Sequence, residues 1–313
     1  MPRIAIGLNY DKLERCNLKL SGFDITRLVL GHPEVYLIQT GDFMPQTKTT
    51  RSSAIANMFY PGDPFELQEL VNQYLYEDVY QGNQVPKAII APHAGYVYSG
   101  SSAASVYRTL LQYRHVIRKV ILLGPAHHVA LAGLGLPTVD QFETPLGPIK
   151  LDTKTIAKLV GDFPQVSYSD PAHADEHALE VQLPFLQTIL ASFRLIPFVV
   201  GDTTELEIAN ILDQLWGGEE CLIVISSDLS HFLNYESAVQ LDGKTAASIE
   251  SFQGDELPDN SACGRLPIRG LLRTAQQRGM TIKRFDLRNS GDTSGDKQRV
   301  VGYGAWGLFE GDQ

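Results

Sequence analysis

Three apolar runs, each leading into a histidine, constrain this chain's fold more than any other feature. Ala88-Ile89-Ile90-Ala91 leads into Pro92-His93-Ala94-Gly95, and Lys119-Val120-Ile121-Leu122-Leu123 leads into Gly124-Pro125-Ala126-His127-His128. Cys221-Leu222-Ile223-Val224-Ile225 leads into Ser226-Ser227-Asp228-Leu229-Ser230-His231. Apolar runs without polar alternation are what strands buried on both faces show, and such strands belong to parallel sheets covered by helices. Pro92 ends regular pairing, Gly95 permits a tight turn, and Ser101 and Ser102 are candidate N-caps for a helix to about Arg114. A histidine between strand and helix falls at the carboxyl edge of the sheet, where open α/β sheets gather their ligands. One such tip is an ordinary buried histidine. Three predict a shared site.

Helical and strand periodicities alternate along the rest of the chain. Helices are predicted over about Phe65 to Tyr76, Lys154 to Asp162 (capped by Asp152 or Thr153), Glu205 to Trp216, Tyr235 to Phe252 and Asn260 to Gly279. Another opens at Asp175-Glu176-His177 and runs toward Phe193, with a kink or break at Pro184. Strands are predicted at Leu195 to Val200, Thr281 to Phe285 and Val300 to Phe309, and the turn-rich stretch Leu134 to Leu151 reads as an antiparallel excursion or hairpin. The expected fold is therefore α/β, a single domain over residues 51–313 with a largely parallel central sheet flanked by helices. Residues 1–50 form an extension of uncertain role, with short strands at Ile4-Ala5-Ile6-Gly7 and Val35-Tyr36-Leu37-Ile38. Met44 offers an alternative start, and Thr47 to Ser53 reads as a polar linker.

Composition narrows the function classes. The 313 residues carry a formal net charge of -10. With no Lys/Arg cluster, nucleic-acid binding is disfavoured, because phosphate contacts need a basic face. Three cysteines (Cys16, Cys221, Cys263) make no disulfide framework. No signal peptide and no membrane-length apolar run is evident, so a cytoplasmic location without membrane contact is expected. Ser290-Gly291-Asp292-Thr293-Ser294-Gly295-Asp296 lacks a GK[ST] ending and precedes a strand, so it is not a phosphate loop. No nucleotide cofactor is expected; the loop instead offers Asp292 and Ser294 as ligand contacts.

His93, His127 and Asp228 or His231 are the types that bind Fe(II), Zn(II) or Cu, and a metal site is the leading expectation over a metal-free acid/base site built from the same types. Asp228 and His231 lie three apart, so one helical turn would align them. Asp228 then orients His231, ligates directly, or simply caps a helix. His128 is expected to point away from His127. Glu176, His177 and Glu180 lie at a helix start, where the helix dipole alone favours a carboxylate. Cys263, before Gly264-Arg265 and a helix, is expected to have a lowered pKa and to act as ligand or nucleophile; the alternative is a small buried hydrophobe.

Ala91-Pro92-His93-Ala94-Gly95-Tyr96, Gly124-Pro125-Ala126-His127-His128, Asp175-Glu176-His177, Ser226-Ser227-Asp228-Leu229-Ser230-His231 and Cys263-Gly264-Arg265 resemble, in order, the signature blocks of the Memo family. The likeness covers about residues 52–310, and the glycine-bearing loop looks like the family's microbial form. It implies a fold related to the class III extradiol (LigB-type) dioxygenases, with a mononuclear iron or copper site at His93, His127 and Cys263. In those dioxygenases the third ligand is a glutamate, and a thiolate softens the site toward copper and redox chemistry. His231 matches their general acid/base, and Asp228 matches an acidic residue lining the same pocket. The resemblance further implies radical-SAM and AMMECR-type partner proteins, and a small-molecule or peptide ligand. Competing expectations are a non-catalytic binding module and a metal-free hydrolase using Cys263 and His231.

Overall fold

The sheet forms where the chain is apolar enough to be buried on both faces. The computed structural model describes residues 50–311 apart from 79, 81 and 83, so the strands expected within residues 1–49 lie outside the described residues. Strands β1 (Thr50–Arg51), β2 (Ala88–Ala91), β3 (Lys119–Pro125) and β4 (Leu134–Leu136) are followed by the hairpin β5 (Gln141–Thr144) and β6 (Gly147–Lys150). Then come β7 (Val166–Tyr168), β8 (Arg194–Val200), β9 (Cys221–Ser226), β10 (His231–Leu233), β11 (Thr281–Asn289) and β12 (Val300–Phe309). The helices between them are α1 (Pro64–Tyr76), α2 (Tyr96–Tyr107), α3 (Thr153–Asp162), α4 (Asp170–Ala174) and α5 (His177–Glu180). They continue as α6 (Leu183–Ile189), α7 (Glu205–Leu215), α8 (Tyr235–Glu250), α9 (Arg265–Gln277) and α10 (Ser290–Ser294).

The main sheet runs β10-β12-β2-β9-β3-β8-β4-β7, with β11 also on β12. Its centre, β2-β9-β3-β8, is parallel, as the unbroken apolar runs require. The flanks bring antiparallel pairs, β12 against β2, β10 and β11 and β4 against β8, while the edge strand β7 lies parallel to β4. The domain is therefore mixed α/β, a central sheet flanked by helices. Parallel register places Ala91 beside Ser226, and Leu123 beside Ile225, so β2, β9 and β3 end at nearly the same level. Side chains of all three are buried, each contributing about 1.5–3 kcal/mol for a Val, Leu or Ile. Among the described residues, no helix is long and apolar enough to cross a membrane.

Three local expectations are corrected. Helix α2 starts at Tyr96, so Ser101 and Ser102 lie inside it and cap nothing. The small side chains serve close packing instead: a Cβ on Gly100 would lie 2.6 Å from the Tyr74 ring, and Ser102 donates to Asp286. The Thr47 to Ser53 linker is no linker where it is described, because Thr50 and Arg51 pair in parallel with Gln141 and Phe142. Arg51 tolerates burial because its guanidinium meets the carboxylate of fully buried Glu180 at 2.5 Å and lies over the Phe142 ring. Asp228 and His231 do not share a helical turn. Leu229 N donates to Gly302 O and Gly302 N to Ser230 O, drawing the segment onto β12 and making His231 a strand residue. The break near Pro184 is present, with α5 ending at Glu180 and α6 starting at Leu183.

Candidate metal centre

Each of three histidines at the sheet's carboxyl edge has one ring nitrogen committed, which fixes the other. Ser226 Oγ donates to Ala178 O at 2.6 Å; a hydroxyl has one proton, so toward its other neighbours it accepts. Gln182 Nε2 donates to it at 2.8 Å, and His93 Nδ1 lies 2.9 Å away. His93 Nδ1 must then carry the hydrogen, leaving Nε2 as a bare lone pair. That Nε2 lies 3.3 Å from Cys263 Sγ. Burial, then the neighbouring His127, pushes the His93 imidazolium pKa down to about 3, so the ring is neutral.

His127 is set by a carboxylate. Its Nδ1 lies 2.8 Å from Glu176 Oε1 and its backbone N donates to Oε2 at 2.6 Å. Glu176 also caps α5, accepting from Ala178 N at 2.9 Å. Burial acts to raise the Glu176 carboxyl, but the ring and backbone hydrogen bonds from His127 outweigh it and hold it down at about 2. An ionised carboxylate on Nδ1 makes that nitrogen the donor and leaves His127 Nε2 free. His231 completes the pattern, with Nδ1 2.8 Å from the carbonyl of Leu229.

His177, first residue of α5, joins the group. One ligand nitrogen each from His93, His127 and His177 lies within 4.8 Å of the others. Its ring stacks on His127 at 4.5 Å and packs against Phe59 at 4.9 Å. Burial first, and the adjacent His93 and His127 next, lower its pKa to about 4. Gly124 makes this approach possible, since a Cβ there would lie 2.9 Å from Leu179 and 3.2 Å from Ala178.

A model of the Memo-like protein family matches residues 51–306. The chain belongs to the Memo family. A "MEMO1 family protein" of Aquifex aeolicus is 36% identical over 269 residues, covering 81% of this chain and 97% of that protein. A "MEMO1 family protein" of Methanosarcina mazei is 33% identical over 275 residues, with 82% and 97% covered. The crystal structure of uncharacterized protein JW3007 from Escherichia coli K12 covers 70% of this chain and 98% of its own, at 13% identity and a TM-score of 0.48.

Other expected site residues of this Memo-family chain fall into place differently. Asp228 is buried and accepts from His93 N at 2.7 Å, while His231 is held by the Leu229 carbonyl rather than by the Asp228 carboxylate. Burial raises the Asp228 carboxyl. Cys263 lies against His93, but its thiol is not acidified: burial, then the charge of Asp228, pushes it up to about 12. The expected activation by Arg265 is absent because that guanidinium pairs with Asp259 at 2.8 Å. Asp292 is spent locally, accepting from Asn289 N in a capping box and from Tyr235 OH. Ser294 Oγ likewise donates to Ser290 O. His128 does not turn away from the cluster; its ring centroid is 5.9 Å from that of His177. A cavity of about 200 Å³, lined by His231, Leu233, Asn260 and Cys263 among others, opens beside the cluster.

Sequence reasoning overlooked Ser226 and Gln182. Ser226 had a signal, a hydroxyl ending an otherwise apolar strand. Gln182 had none, because its partners Pro92 and Tyr107 are distant in sequence. Glu180, expected only at a helix start, instead takes the Arg51 guanidinium and the Tyr60 hydroxyl.

Proposed function

We propose that this Memo-family protein holds one iron or copper ion at His93, His127 and Cys263 and performs redox chemistry there. The observation that carries the reading is the common tautomer: His93 and His127 both have Nδ1 engaged and Nε2 left with its lone pair, which His93 turns toward Cys263, as ligand histidines require. Charge supports it. Glu176 and Asp228 are buried carboxylates, and among the described residues no lysine or arginine pairs with either. Buried anions without such partners are characteristic of cation sites. A thiol raised to about 12 needs a cation beside it to become a thiolate.

A bound iron or copper would supply one-electron chemistry and Lewis acidity. The chain's own residues supply the rest. His231, with Nδ1 tied to Leu229 O, presents Nε2 at the cavity wall to take a proton from a ligand hydroxyl and return it. Glu176 and Ser226 hold the two imidazoles in orientation, and Asp228 anchors the turn that carries His93.

The test is elemental analysis of protein purified without oxygen. Near-stoichiometric iron or copper is expected; absence of both after anaerobic loading with Fe(II) and Cu(I) would end the reading. Glu176→Gln should weaken metal binding by about 10–100-fold, the usual effect of losing a carboxylate behind a ligand histidine. Competition with a chelator measures it, and unchanged affinity would remove Glu176 from the role.

A further inference from the structure

His177 touches each of the other three histidines of the cluster: His127 at 4.5 Å, His93 at 5.4 Å and His128 at 5.9 Å between ring centroids. Its Nδ1 lies 3.5 Å from Glu176 Oε1. Ligand atoms of His128, Glu176 and His177 all fall within 4.8 Å of one another, a second constellation that has His177 in common with the histidine cluster but neither His93 nor His127. We propose that His128, Glu176 and His177 form an outer cation position beside the inner one, taking a borderline divalent ion such as Zn(II), Co(II) or Fe(II).

The donor set is two imidazoles and one carboxylate, which suits these ions and leaves coordination positions for water or a ligand. Glu176 has capacity for it. A carboxylate offers about four acceptor sites, and the donors placed on Glu176 are His127 N, His127 Nδ1 and Ala178 N. No guanidinium or ammonium among the described residues neutralises that buried carboxylate; Arg51 reaches only its backbone carbonyl, at 3.0 Å. Each position has one buried member and one that faces solvent: His93 and Glu176 are both 2% exposed, while His127 and His128 are open to the medium. The positions are linked through Glu176, whose Oε1 orients His127, so an outer cation acts on the inner centre by drawing charge from that hydrogen bond.

Thiolate ligation separates the two sites experimentally. A Co(II) ion ligated by Cys263 shows a sulfur-to-metal charge-transfer band, and one at His128, Glu176 and His177 does not. Anaerobic titration of the full chain with Co(II) should give two equivalents, one with the band and one without. His128→Ala, at an exposed position, should keep the banded equivalent and raise the dissociation constant of the other at least tenfold. Saturation of the wild type at one equivalent would overturn the outer position, as would a His128→Ala chain that still binds two with unchanged affinity. A titration with no band in any chain would remove Cys263 from the inner site, while a bandless equivalent lost with His128 would still establish the outer one.

Discussion

His93→Ala is expected to yield a folded chain that no longer retains iron or copper. His93 Nε2 faces Cys263 Sγ, and its Nδ1 is held by Ser226, so its lone pair is aimed before any ion arrives. Losing a residue behind a ligand costs roughly 10–100-fold in metal affinity, and losing the ligand itself should cost at least about 100-fold. The strands around it are paired backbone to backbone and keep their register without the ring. Metal content after anaerobic loading, measured beside a thermal melt of the metal-free chains, separates loss of a ligand from loss of the fold. A mutant that melts like the wild type and still carries a full equivalent would refute a site centred on His93.

Glu180→Ala should be the most destabilising single change outside the cluster. The carboxylate is fully buried and accepts from Arg51 Nη1, Ser53 Oγ, Tyr60 OH and the backbone N–H groups of Ala54 and Ile55. Removing it leaves Arg51 as a buried charge without its partner, a loss of about 3–5 kcal/mol. At roughly 2–4 °C per kcal/mol for a domain of this size, the melting temperature should fall by about 6–20 °C. The consequence reaches the site, because Arg51 also donates to the carbonyls of His173 and Glu176 and so ties down the turn that carries Glu176.

The pH dependence has a definite sign. Burial acts to raise the Glu180 carboxyl, but Arg51 and then the Ser53 and Tyr60 hydroxyls outweigh it, so the folded value lies below the unfolded one. Its contribution is therefore complete above the ordinary glutamate range near about 4.3 and is lost as pH falls through the lowered folded value. Glu180→Gln, which keeps the shape without the charge, should lose less stability than the wild type between neutral pH and about pH 3. Parallel acid slopes for the two would show that the ion pair contributes nothing measurable.

The central sheet was legible because its strands are buried on both faces. An unbroken run such as Ile121-Leu122-Leu123 has no other good place in an α/β domain, and a histidine just past its end has to fall at the carboxyl edge. The break at Pro184 was legible for a similarly local reason, a missing N–H inside a helical period. The antiparallel flanks were not. Whether β12 runs with or against β2 depends on how the chain returns through β11, and no property of Val300–Phe309 records that.

Residue types and chain order by themselves determined that His93, His127 and the Asp228 to His231 segment gather at one edge, because each follows a strand whose place is set by its hydrophobic pattern. Tertiary structure alone decided what each one does there. His127 and Glu176 are 49 residues apart, His93 and Cys263 are 170 apart, and Arg51 and Glu180 are 129 apart. The tautomer of His93 depends on where the single proton of Ser226 goes, and the weak acidity of Cys263 depends on its burial and on the nearby charge of Asp228. Hydrogen-bond partnership and burial are properties of position in space. Local sequence carries the periodicity that builds the elements, but it does not contain the distances that set protonation and ligand geometry.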